Sequence, residues 1–481
     1  MNYTENDRLE TVRLIDKSQV FTPPQTVKEL LDEVGYINNI FNKTILENSC
    51  GDGSILVEII RRYISNGLKL EKSMSDIRHG LENNIMGIEL DKKYFEKCLS
   101  NLDTVASNYG ITNVKWNIIN GDYLEIFIDK KFDFIVGNPP YISYRDLSLT
   151  IRKNLRLKFE SCNAGKFDYC YAFIEKSLND LSDVGKLSYI IPNSIFKNVF
   201  GKNLRSIILP FLTKIIDFKN QNIFSKVLTS SAILICEKSR LLNHFVYVEN
   251  LTLNETEISK LILGNKWEFS NNIVEEGFIR RFGDYFQVGT SIATQLNEAF
   301  LLKSGHISGQ WYSESNKKIE SKVVKVAVSP RSLQKNSSEY IIFPYDFEEE
   351  KIKRYSESDF IKLYPYAEKH LRYYKDRLLK RKSEKNAKWF EYGRSQALSN
   401  MGQEKLLTSF VVTNKVNVYK LGSDVIPYSG IYITQKSQFS LKVAFELLNE
   451  ERFFKYISNV GTPASGNSFR ITANDIKNYK F

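Results

Sequence analysis

The chain has 481 residues, 42% hydrophobic and 26% charged, which excludes a disordered or fibrous protein and exceeds one ordinary core, so two domains are expected. Lys and Arg outnumber the acids 67 to 56, and the net charge of +11 favours a polyanionic partner without proving one. No apolar run approaches the roughly 18 to 20 residues of a membrane span, the five cysteines form no CxxC pair and the four histidines lie at no zinc spacing, so a reduced, cytoplasmic protein without a metal or membrane contact is expected.

In chain order, residues 44–47 read as a short strand ending in a glycine-bearing loop. Residues 54–62 continue as a helix, with Ile55, Leu56, Ile59 and Ile60 at helical spacing. Residues 84–89 form a second strand, followed by a helix beginning near Lys92. Residues 114–119 and 132–136 form a third and a fourth, each closed by polar or turn residues. Residues 173–181 are helical, 186–191 form an apolar strand ending at Pro192, and 232–236 form another. Strands alternating with helices predict an α/β fold, a doubly wound and mainly parallel Rossmann-like sheet, with ligands beyond the carboxyl ends of the strands. After about residue 240 the alternation gives way to short β-like runs, aromatic clusters and basic stretches. The domains are therefore expected at 1–240 and 241–481, the second a mixed α+β domain. Residues 373–382 form its most basic stretch, suited to a solvated helix face or to a nucleic-acid groove.

The fourth strand runs straight into Asn138-Pro139-Pro140-Tyr141. Two prolines cannot continue a sheet, and they stiffen the loop. A rigid turn accounts for the prolines but not for the Asn and Tyr that flank them. An amine on a conjugated ring is a poor nucleophile, because its lone pair is delocalised. Two acceptors on a rigid loop, the side-chain oxygen of Asn138 and the carbonyl of Pro139, draw the amine hydrogens out of the ring plane. Tyr141 offers a flat face for an extruded base, a contact worth about 1 to 3 kcal/mol.

The first loop, Glu47-Asn48-Ser49-Cys50-Gly51-Asp52-Gly53, lets its backbone approach a ligand closely. Glu89 ends the second strand, where a carboxylate accepts from both hydroxyls of a ribose. Asp122 follows the third, placed to accept from an adenine amine. Each acid alone is an ordinary surface residue; acids at successive strand ends, in order, form a cofactor track.

The tetrapeptide resembles that of amino-methyltransferases, whose Asn form serves adenine N6 and also glutamine side chains and RNA guanine. The order and spacing of the whole set resemble the gamma-class (TaqI-like) N6-adenine DNA methyltransferases of restriction-modification systems. Val20-Phe21-Thr22-Pro23-Pro24 looks like the family's N-terminal segment over the methionine end of the cofactor. The match runs on through Phe167-Asp168-Tyr169 and residues 185–192 to Asn222-Ile223-Phe224-Ser225, about the first half of the chain. The resemblance implies S-adenosyl-L-methionine as cofactor, held by Thr22, Glu47, Ser49, Cys50, Gly51, Gly53, Glu89, Asp122, Tyr123 and Pro140. It implies Asn138, Pro139, Pro140 and Tyr141 as catalytic residues, with Phe224 as the second wall for the flipped base. The family's usual Pro and Ala in the first loop are Asn48 and Ser49 here, which bears on the shape of the methionine pocket.

Residues 286–300, 343–345 and 389–394 resemble the target-recognition domain of the longer gamma-class enzymes, and residues 461–470 are polar and Gly-bearing, as in a DNA-reading loop. Arg394 and Arg470 are the candidate DNA contacts. The expected function is sequence-specific methylation of adenine N6 in double-stranded DNA by a monomeric modification enzyme, with a separate cognate restriction endonuclease as genetic partner. The alternatives are an RNA or protein-glutamine amino-methyltransferase using the same tetrapeptide, and a non-catalytic DNA-specificity protein.

Overall fold

Short apolar runs flanked by turn residues become the strands β1 (Ile45–Glu47), β2 (Ile85–Glu89), β3 (Asn117–Asn120), β4 (Phe132–Gly137) and β5 (Leu181–Pro192). Their amphipathic connections become the helices α1 (Glu5–Ser18), α2 (Pro24–Glu33), α3 (Ser54–Lys69), α4 (Met74–Asn84), α5 (Lys92–Ser107), α6 (Leu149–Lys158) and α7 (Cys170–Asp180). The computed structural model describes residues 5–18, 22–219, 221, 223–224, 230–250, 254–264, 266–267, 269, 280–315, 317–337, 339–348, 351–464 and 468–481. Helix α8 (Lys202–Ile208) and strands β6 (Leu212–Asp217), β7 (Ser231–Glu237), β8 (His244–Glu249) and β9 (Asn254–Ser259) complete the first half.

The nine strands form one sheet in the order β3-β2-β1-β4-β5-β7-β6-β8-β9. From β3 to β5 all neighbours are parallel; β7 is antiparallel to both β5 and β6, and β9 to β8. Successive residues of the inner strands serve opposite faces. Leu46 and Ile135 join the core under α6, α7 and α8, whereas Ile45 and Val136 join the core under α2 to α5. The strand order reverses between β1 and β4, the point where a doubly wound sheet opens a crevice at its carboxyl ends.

The expected doubly wound, mainly parallel sheet is present. Strand β6 went unread because Thr213 and Lys214 break its apolar run, and Lys214 pairs with Glu33 at 2.9 Å. The compact units are Met1–Asn271 and Asn272–Phe481. The expected division at 240 falls inside the first, because β8 and β9 extend the same sheet.

Gly53 caps the start of α3 with φ of 86°, and a Cβ there would lie 2.8 Å from Cys98 Sγ and 3.5 Å from Cys98 Cα. Gly53→Ala is therefore expected to destabilise the chain by about 1 to 3 kcal/mol, read from a denaturant midpoint. Adding Cys98→Ala is expected to restore the steric part of that loss and leave the backbone part.

The second unit is β-rich. Strands Phe286–Thr290, Ile431–Gln435, Lys405–Thr408 and Val418–Leu421 form an antiparallel sheet in that order. A second sheet orders Leu301–Leu302, Glu339–Ile342, Val324–Val328 and Ile426–Pro427. The basic stretch at 373–382 is mostly exposed, with Arg381 turned inward and Arg377 paired at the surface. Arg381 donates to the carbonyls of Trp389 and Glu391, each at 3.0 Å, and Arg377 pairs with Glu298 at 2.7 Å. Among the described residues no helix is long and apolar enough to cross a membrane, and no cluster of three or more His, Cys, Asp or Glu is placed to hold a metal ion.

Candidate active site

At the reversal point the chain leaves β1 through the glycine loop and leaves β4 through the tetrapeptide, so the two loops face each other across one cleft. Its empty volume is about 820 Å³. Thr22, Glu47, Ser49, Cys50, Gly51, Glu89, Asp122, Tyr123, Asn138, Pro139, Pro140 and Tyr141 all line it. Of the residues expected from sequence, Gly53 and Phe224 do not. Gly53 shapes the turn against Cys98, and Phe224 is buried in the apolar cluster that Tyr141 also touches. Val20, Phe21, Asn222 and Ser225 lie outside the described residues.

The two loops are braced together. Ser49 Oγ donates to the carbonyl oxygen of Asn138 at 3.2 Å, and Asn138 Nδ2 donates to Thr22 Oγ1 at 3.4 Å. Tyr141 is held from the far side, its hydroxyl donating to the Ile190 carbonyl at 2.8 Å. Glu89 is also a structural clamp, since its two oxygens accept from the main-chain N–H of Gly51 and of Asp91, both at 2.8 Å. A carboxylate oxygen has a second lone pair, so this clamp leaves capacity for a ligand. Burial raises the Glu89 carboxyl above its ordinary range, and those main-chain bonds pull it back. Asp122 Oδ1 accepts from the Leu124 N–H at 2.9 Å, which fixes its side chain at the end of β3.

The site residues expected from sequence left out several of importance here, although Asn48, Asp168 and Tyr169 stand in segments that carry the resemblance. Tyr169 and Phe173, one helical turn apart with rings 5.6 Å from each other, form the apolar wall of the cleft; their spacing of four was the available signal. Asn48, where the resembled family carries proline, is buried and donates through Nδ2 to Ser177 Oγ at 2.9 Å and to the Tyr189 hydroxyl. Ser177 Oγ and the Tyr189 hydroxyl lie 2.6 Å apart, and the Tyr123 hydroxyl donates to Asp180 at 2.8 Å, so a hydroxyl web underlies the cleft. Asp168, two residues before α7, has its carboxyl pushed up to about 6 by burial.

The sign of the cleft is diagnostic. Glu47, Asp52, Glu89 and Asp122 line it, and among the described residues no Lys or Arg does. A loop entering a helix N-terminus suits a phosphate by geometry, but the acids here disfavour one, even with Asp52 paired to Lys97 at 3.0 Å. The cleft is built for a hydroxyl-rich, cationic ligand. Glu47 Oε2 and Asn48 Oδ1 are buried acceptors with no donor among the described residues, which is costly unless a ligand supplies one. An ammonium group is such a donor, and S-adenosylmethionine carries an ammonium and a sulfonium. Burial raises the Glu47 carboxyl well above its ordinary value, with only the Leu56 main-chain N–H pulling it down to any extent.

Residues 54–224 match the family model of the Eco57I restriction-modification methylases, bearing out the resemblance read from the motifs. The Type II methyltransferase M.BstVI of Geobacillus stearothermophilus is 31% identical over 201 residues, 39% of this chain and 36% of that protein. The Type II restriction enzyme and methyltransferase RM.Eco57I of Escherichia coli is 23% identical over 502 residues, 83% of this chain and 50% of that protein. The chain thus spans half or less of the length of these two relatives. Among solved structures, the Type IIL restriction-modification enzyme MmeI in complex with DNA superposes with a TM-score of 0.60 at 15% identity, over 99% of this chain and 67% of that one. The nuclease-deletion mutant of the Type ISP enzyme LlaGI gives 0.54 at 13% identity, over 87% of this chain and 48% of that one. These likenesses show the fold, a mainly parallel α/β sheet followed by a β-rich domain.

Proposed function

We propose that the chain transfers a methyl group from S-adenosylmethionine to the N6 amine of a flipped-out adenine in double-stranded DNA, as the modification enzyme of a restriction-modification system. The observation that carries this reading is a single cleft lined both by four acidic residues and by the braced Asn138-Pro139-Pro140-Tyr141 loop. The acids suit the cofactor, and the tetrapeptide suits a planar, conjugated amine. The likeness to restriction-modification methyltransferases, the DNA complex of MmeI and the net charge of +11 point to DNA as the molecule carrying it.

When bound, the cofactor supplies an electrophilic methyl on a sulfonium. Glu47 and Asn48 would hold its ammonium, Glu89 its ribose hydroxyls and Asp122 its adenine amine. Asn138 and the Pro139 carbonyl accept from the target amine and turn its lone pair toward the methyl. The amine nitrogen takes the methyl as the methyl's bond to sulfur breaks, leaving a neutral thioether, and the amine releases one proton to solvent. Tyr141, anchored through its hydroxyl, presents its ring to the base, and Phe224 backs the cluster beside it. The cognate nuclease would act on the same target when it is unmodified.

Incubation with tritiated cofactor and mixed DNA tests the reading, with label expected in N6-methyladenine. Label in RNA or glutamine and none in DNA would replace it with the corresponding amino-methyltransferase. No cofactor binding by calorimetry would leave a DNA-specificity protein.

A further inference from the structure

A second cleft, within the unit Asn272–Phe481, has the opposite electrostatic character. It has an empty volume of about 890 Å³ and lies between the short helix Pro330–Gln334 and the loop that follows Val411–Val412. Arg331, Gln334, Asn414, Lys415, Asn417 and Tyr419 supply much of its polar lining, and among the described residues no carboxylate lines it. An adjoining cleft shares Arg331 and adds Lys303 and Lys335. The three glutamates of that neighbour are engaged: Glu298 with Arg377 at 2.7 Å, Glu314 with Ser304 Oγ at 2.7 Å and Glu339 with the Tyr428 hydroxyl at 2.5 Å. Among the described residues, Lys303, Arg331, Lys335 and Lys415 make no ion pair or side-chain hydrogen bond.

Arg331 stands on a preset turn. Pro330 opens its helix, Ser329 Oγ accepts from the Ser332 N–H at 3.0 Å, and Ser332 Oγ accepts from the Ser329 N–H at 2.8 Å. The capping box fixes the backbone that carries Arg331, so only its side chain has to order on meeting a ligand. Its neighbours in the cleft are amides, which present a donor and an acceptor side by side.

We infer that this cleft reads the target sequence, with Arg331, Gln334, Asn414 and Asn417 meeting base edges in a DNA groove and Lys415 meeting phosphate. A guanidinium matches the paired acceptors of guanine, and an amide matches the acceptor and donor of adenine. Cations without acids keep a polyanion bound, but cations alone carry no sequence information. Of the two arginines singled out from sequence, Arg470 borders this surface, since its strand pairs Arg470 with the cleft residue Val411. Arg394 is exposed, and its main chain bridges to Ala293, in neither cleft.

The inference rests on the proposed DNA substrate, and its test separates the two. The full chain is expressed in cells lacking other adenine methylation, and methylated sites are sequenced for the parent, Arg331→Ala, the pair Asn414→Ala/Asn417→Ala, and Lys415→Ala. Affinity for a duplex bearing the parent's target is measured between about 50 and 200 mM salt. Arg331→Ala and the Asn pair are each expected to relax the methylated sequence at one or two positions and to weaken binding roughly 5- to 150-fold. Lys415→Ala is expected to weaken all duplexes alike and to reduce the salt slope by about 1. An unchanged target sequence and affinity in both Arg331→Ala and the Asn pair would overturn the inference while the substrate reading stands. A parent that methylates no DNA would overturn the substrate reading. All the replaced side chains are exposed, and if Arg331→Ala fails to fold, the Asn pair on its open loop carries the same test.

Discussion

Asn138→Ala is expected to lower turnover by about 10²- to 10³-fold while leaving cofactor affinity within about twofold of the parent. The expectation follows from where the side chain sits. Asn138 lies at the carboxyl end of β4, with its amide nitrogen directed at Thr22 and its main-chain oxygen held by Ser49. The loop's stiffness comes from two prolines and from the Ser49 bond to the Asn138 main chain, both kept in the variant, so truncation removes an acceptor for the amine and only the long contact to Thr22. Single-turnover transfer and calorimetric titration of the cofactor separate the two quantities. Equal loss of both would show that Asn138 shapes the cofactor pocket and would overturn its assignment as an acceptor for the amine. Asn138→Asp is a sharper companion, because an added negative charge beside four carboxylates alters cofactor binding as well.

Glu47→Gln is expected to weaken the cofactor by about thirtyfold, the low end of the ~2 to 5 kcal/mol for breaking a buried charge pair, because Gln keeps one acceptor. The pH dependence follows from the raised carboxyl. In the free chain Glu47 holds its proton above the ordinary carboxylate range, near 4.3 in an unfolded chain. Its contribution to stability is therefore complete at acid pH and is lost as pH rises through the raised value. An ammonium group favours the carboxylate, so binding releases a proton and affinity rises with pH across the same window. Titrations in buffers of different ionisation enthalpy are expected to show that release in the parent and its loss in Glu47→Gln. A parent affinity independent of pH, with no proton released, would place the ammonium elsewhere.

Much of the first unit was legible because its strands are short, apolar and punctuated. Ile45 to Glu47, the Gly51-Asp52-Gly53 turn and the helix from Ser54 stand in the sequence in the order in which the sheet uses them. The carboxylates were legible for the same reason, since a strand end is a fixed address in this fold. Asn48 was not legible as a structural residue. Its role depends on Ser177 and Tyr189, which lie 129 and 141 residues away, and no local pattern announces a contact made across the sheet. Gly53 was assigned to the ligand because glycine loops often meet one, whereas its left-handed backbone and the approach of Cys98 supply the reason here. The second unit resisted reading because two- to five-residue strands carry too little periodicity, and its basic stretch hid the inward-turned Arg381.

The strut from Ser49 to Asn138 has a thermodynamic consequence. A loop that answers to the cofactor at one end and to the base at the other makes the two occupancies linked functions. Whatever factor cofactor binding adds to the capture of the base, base capture must return to the cofactor, since the binding cycle closes. Ser49→Ala would then bring both factors toward unity together, even though Ser49 itself touches only one of the two loops' ligands.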